Sequence, residues 1–60
     1  MRKRILLAED EPNIIESLTF ILERAGFEVA HEVDGPSALE AIMAGPPDVV
    51  VLDVMLPGLD

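Results

Sequence analysis

Three short apolar runs, RILLA at 4–8, FEVAHEV at 27–33 and DVVVLDV at 48–54, are separated by two stretches with helical spacing. This alternation constrains the chain more than any other feature. Strands joined in turn by helices run parallel and share one sheet. The first helical stretch opens at Pro12, where a first-turn proline sacrifices no hydrogen bond. Ile14, Ile15, Leu18, Ile21, Leu22 and Ala25 follow at helical spacing, and Gly26 stands where a glycine ends a helix. Asp34-Gly35-Pro36 punctuates before a second helix. Ala38, Leu39, Ile42 and Met43 are expected to form its buried stripe, and Gly45-Pro46-Pro47 stops it.

The second apolar run alternates with polar residues, as a half-exposed edge strand does. The first and third are more uniformly apolar, and the third suits a strand covered on both faces. Right-handed crossovers then give the strand order 2-1-3 with one helix on each face. The alternative order, 1-2-3, would bury the alternating strand in the middle. In the order 2-1-3 the carboxyl ends of strands 1 and 3 meet at a switch point, where open α/β sheets bind their ligands.

Sixty residues permit one small domain. Half of them are hydrophobic, which excludes a disordered chain. No cysteine is present, so there is no disulfide framework and no thiolate metal site. Twelve acidic against four basic residues give a formal net charge of −8, which argues against contact with a nucleic-acid backbone by this segment. The basic run Arg2-Lys3-Arg4 reads as a solvated strand entry. The four apolar residues after it, 5–8, fall short of the roughly 7–15 that a secretory signal needs. No run approaches the ~20 apolar residues that span a bilayer. The expectation is a cytoplasmic protein without membrane contact.

Glu9 and Asp10 end the first strand and Asp53 lies near the end of the third. If those strands are neighbours, three carboxylates converge. Like charges held close repel, and oxygen-only ligands without a nearby histidine point to a hard cation, with Mg²⁺ favoured. Asp53 sits inside the apolar run, so its neighbours fix its direction. A carboxylate so placed beside a divalent cation can attack phosphorus and form an acyl phosphate. A second reading of the same residues has Glu9 and Asp10 capping the first helix and Asp53 as a solvated strand-end acid. Spacing alone leaves both readings standing.

ILLAEDEPNI, DG before the second helix, and PDVVVLDVMLPGLD together resemble the receiver domain of bacterial two-component response regulators. The likeness runs the whole length, 1–60, and implies the βαβαβ half of a flavodoxin-like, doubly wound α/β fold. It implies Asp53 as phosphoacceptor, a sensor histidine kinase as donor, and Mg²⁺ held by Glu9, Asp10, Asp53 and the backbone carbonyl of Met55. Glu9 departs mildly from members that carry Asp there. The resemblance makes the chain a phosphoacceptor rather than an enzyme. It also implies an amino-terminal half only, lacking the Ser or Thr and the Lys that read the phosphoryl group in whole receivers.

Nothing in these residues stands in for them. Lys3, the only lysine, precedes Glu9 by a strand length of about 20 Å. Arg24 belongs to the last turn of the first helix, and Ser17 and Thr19 to its middle. Impaired switching is therefore expected. The third strand is expected to show an unpaired apolar edge and to drive self-association, by strand pairing or element exchange, into a homo-oligomer. A self-assembling half-domain without phosphoryl chemistry is the alternative function. His31 reads as a solvent-facing edge residue, Met43 and the Met55 side chain as packing, and Gly58 as a turn glycine.

Overall fold

The computed structural model describes residues 2–53 and 55–58. The element order is β1 (Arg4–Ala8), α1 (Pro12–Arg24), β2 (Glu28–Glu32), α2 (Gly35–Ala44) and β3 (Val49–Leu52). The three strands form one parallel sheet in the order β2-β1-β3. This is a βαβαβ unit of a doubly wound α/β sheet, in the strand order expected from the sequence. Central β1 pairs Ile5 with Val29 on one side and with Val49 on the other. The first crossover steps one way across the sheet and the second steps back, so two right-handed crossovers put their helices on opposite faces.

Local chemistry sets the helix ends. Glu11 caps α1 by accepting the Asn13 N–H at 3.1 Å, and Pro12 follows in the first turn. At the other end Gly26 N–H reaches Glu23 O at 3.0 Å and Phe27 N–H reaches Leu22 O at 3.1 Å. This paired closure needs positive φ after the cap, and Gly26 has φ +99°. Asp34 caps α2 through a 2.7 Å bond from Ser37 N–H. The carboxyl end of α2 is held by Arg4, whose guanidinium donates to Gly45 O at 3.1 Å and Pro46 O at 3.3 Å. Arg4 N–H also bonds Asp48 Oδ2 at 2.7 Å. A cation at a helix carboxyl end suits the dipole there.

The core is β1 and what covers it. Ile5, Leu6, Leu7 and Ala8 are all buried. Leu6 and Ala8 share one face of the pleat and pack with Ala38 and Leu56, flanked by Ala41 and Ile42.

The structure corrects the expected α2 stripe, the packing of Met55 and the cover over β3. The α2 stripe is Ala38, Ala41 and Ile42, whereas Leu39 and Met43 are exposed. Residues 39 and 43 form their own i, i+4 row on a neighbouring face, which nothing among the described residues covers. Met55 is likewise exposed rather than packed. In α1 only Ile15, Leu18 and Leu22 of the six apolar positions are half-buried, while Ile14, Ile21 and Ala25 are exposed. The third strand is not covered on both faces: Val49, Val50, Val51 and Leu52 are 38–47% exposed, because β3 is an edge. It is also shorter than 48–54, and Val54 lies outside the described residues.

Candidate functional site

Two main-chain hydrogen bonds place the acids. Glu9 N–H donates to Glu32 O at 3.0 Å, one step past the β1–β2 ladder. Asp53 N–H donates to Ala8 O at 3.0 Å, one step past the β1–β3 ladder. Both residues thus hang from the carboxyl end of β1. Asp10 follows directly. One carboxylate oxygen from each of Glu9, Asp10 and Asp53 lies within 4.8 Å of the others.

The three acids differ in setting. Glu9 is 8% exposed. Its Oε2 accepts the N–H groups of Asp10 and Glu11, both at 3.1 Å, and so bends the chain toward α1. Helix capping falls to Glu11, not to Glu9 or Asp10. Asp10 is exposed and Asp53 half-buried. Asp53 Oδ1 accepts Met55 N–H at 2.9 Å, and its main-chain carbonyl accepts Leu56 N–H at 3.0 Å. These two bonds close a tight turn that holds the carboxylate over the end of β1.

Among the described residues no ion pair reaches these carboxylates. The ion pair between Arg4 and Glu28, at 3.7 Å, sits at the amino end of the sheet. Lys3 precedes β1 at that same end. Arg24 lies over the Phe20 ring, 5.5 Å from its centroid, at the end of α1. Thr19 has a buried hydroxyl without a partner but sits mid-helix in α1, and His31 is exposed on β2 opposite Leu7.

The donor set fits a small hard cation. Every donor is oxygen, and two oxygens on opposite sides of Mg²⁺ lie about 4.2 Å apart. One oxygen from each of Glu9, Asp10 and Asp53 lies within 4.8 Å of the others, which is close to that span. The Met55 carbonyl accepts no backbone hydrogen bond among the described residues, which leaves it open to a ligand.

Sequence reasoning missed Leu56. It is 3% exposed and belongs to the core, although it lies in the turn beyond Asp53. The residue type alone could not flag it, since Leu39 and Leu52 are apolar and exposed.

A parallel sheet with carboxylates gathered at the tips of β1 and β3 agrees with the sequence comparisons. Residues 5–60 match the response regulator receiver domain, and the chain belongs to that family, the receiver modules of two-component systems. It is 47% identical over 60 residues to the DNA-binding response regulator MtrA of Mycolicibacterium smegmatis, covering 100% of this chain and 26% of that protein. It is equally 47% identical to the alkaline phosphatase synthesis transcriptional regulatory protein PhoP of Bacillus subtilis, over 100% of this chain and 25% of the relative. The response regulator GtcR of Aneurinibacillus migulanus is 43% identical over the same 60 residues, 25% of its length. The chain therefore spans about a quarter of the length of these curated relatives. Among the described residues no helix is long and apolar enough to cross a membrane.

Proposed function

We propose that this module accepts a phosphoryl group on Asp53 from a sensor histidine kinase. The carrying observation is the convergence of Glu9, Asp10 and Asp53 within 4.8 Å. Met55 N–H holds Asp53 Oδ1, while Oδ2 has no hydrogen-bond partner among the described residues. A free carboxylate oxygen attacks phosphorus, the phosphorus–nitrogen bond of the donor phosphohistidine breaks, and the departing imidazole takes up a proton. Glu9, Asp10, Asp53 and the Met55 carbonyl are the residues that would hold Mg²⁺. When bound, that ion supplies the positive charge that offsets the phosphoryl oxygens. Asp53 acts as an acceptor, and the module is the input part of a signalling protein rather than an enzyme. Its charge of −8 keeps this segment away from nucleic acid, so DNA contact of the kind named for MtrA belongs to other parts of such proteins. A cytoplasmic setting follows from the kinase partner.

Within these 60 residues, acceptance is separated from response. The single lysine lies at the opposite end of β1 and cannot read the phosphoryl group. The free edge of β3, four exposed apolar residues, supports self-association of the isolated chain.

The test is incubation with Mg²⁺ and acetyl phosphate, followed by mass spectrometry. One labile phosphoryl adduct is expected, absent from Asp53→Asn and from samples stripped of divalent cation. An unmodified wild-type chain would leave the assembly role alone.

A further inference from the structure

Asp53 and Met55 are tied to helix α2 through the three residues that follow them. Leu56 inserts among Leu6, Ala8 and Ala38, the last from the first turns of α2. Pro57 O accepts Gly35 N–H at 2.7 Å, at the very start of that helix. Gly58 then approaches the Pro36 ring closely: a Cβ built on it would stand 2.7 Å from Pro36 Cδ and 3.3 Å from Cγ. Its φ is +77°, which also favours glycine. A side-chain anchor, a main-chain hydrogen bond and a ring contact thus clamp one three-residue segment onto one helix end. The segment begins where the turn closed by Asp53 Oδ1 and Met55 N–H finishes.

We infer that Leu56, Pro57 and Gly58 are positioning residues, and that the amino end of α2 sets where Asp53 and the Met55 carbonyl stand relative to Glu9 and Asp10. The inference rests on the metal-binding reading of the site. Glu9 and Asp10 are carried by β1 and the entry to α1. Asp53 is carried by the end of β3, through its N–H to Ala8 O, and it alone of the three leads on into a segment fastened to the other helix. Loosening that fastening moves one ligand group against two fixed ones. Leu56, Pro57 and Gly58 contribute no carboxylate to the cluster, so their effect is on geometry.

The contact between Gly58 and Pro36 allows a clean test. Gly58→Ala drives a methyl into the ring, and Pro36→Ala removes the two carbons it would meet. Mn²⁺, used as a paramagnetic probe in place of Mg²⁺, is titrated into the full chain, with the folded fraction followed by circular dichroism. Groups that orient ligands typically change metal affinity by about 10–100-fold. Gly58→Ala should therefore weaken Mn²⁺ binding by about tenfold or more per folded molecule. Pro36→Ala alone removes one of the three fastenings while Leu56 and the Gly35–Pro57 bond stay in place, so it should weaken binding less than Gly58→Ala, and the double variant should return to the level of Pro36→Ala. The positive φ burdens the stability of both glycine variants alike, so recovery reads the ring contact. Ile42→Ala, which loosens the same core away from the turn, should lower the melting temperature without changing affinity.

Unchanged affinity in folded Gly58→Ala overturns the inference. So does a double variant as weak as Gly58→Ala, or an affinity that merely tracks melting temperature across the set including Ile42→Ala. Failure of the wild-type chain to bind Mn²⁺ would instead overturn the reading of the site itself.

Discussion

β1 and β3 are neighbours in one sheet and nearly interchangeable in composition, yet they live in different surroundings. ILLA in β1 is 0–4% exposed, whereas VVVL in β3 is 38–47% exposed. The two strands pair residue for residue, Ile5 with Val49 through Ala8 with Leu52. What separates them is neighbours. β1 has a strand on each side and α2 packed across one face, while β3 has a strand on one side only. An apolar run therefore marks a strand that can be buried. Its position in the sheet decides how far it is.

The same substitution in both strands measures this difference. Leu7→Ala removes a fully buried side chain and should destabilise the fold by about 2–5 kcal/mol, enough to unfold a chain this small. Urea titration followed by far-ultraviolet circular dichroism is the measurement, since the chain has neither Trp nor Tyr. Leu52→Ala, at 47% exposure, forfeits part of the transfer energy and leaves no enclosed cavity, so about 1 kcal/mol is expected. Equal losses at the two sites would mean that β3 is covered in solution. Val50→Lys should change stability least, within about 0.5 kcal/mol for dilute protein. It sharpens the comparison differently: a lysine on the free edge should abolish strand-mediated association in sedimentation experiments. Oligomers that persist in Val50→Lys would show that β3 is not the surface that joins copies.

Punctuation was the most legible part of the fold. Pro12, Gly26 and Pro36 each act through backbone constraints that hold whatever packs around them, and they mark both ends of α1 and the start of α2. Strand order was legible because an alternating pattern and two uniform ones rank the strands by burial. The buried face of α2 was not. Ala38, Leu39, Ala41, Ile42 and Met43 are apolar nearly all round, so periodicity selects no single face and the sheet chooses Ala38, Ala41 and Ile42. At the site, Glu9, Asp10 and Asp53 could be gathered once the strand order was known. The hydrogen bonds that aim them could not, because Glu9 Oε2 and Asp53 Oδ1 bond to backbone groups whose directions depend on turns beyond the strands. Leu56 was hidden for a related reason: its burial follows from the chain doubling back onto α2 after the last strand.

The central place of β1 bears on how the chain comes off the ribosome. This strand precedes both its partners, and the bond from Arg4 N–H to Asp48 joins positions 44 residues apart. Until 28–32 and then 49–52 emerge, four apolar side chains have no sheet to enter. Contacts this distant in sequence slow folding. The nascent segment must stay soluble through that wait, and the charged neighbours of ILLA, Arg2-Lys3-Arg4 before it and Glu9-Asp10-Glu11 after it, are suited to keep it so.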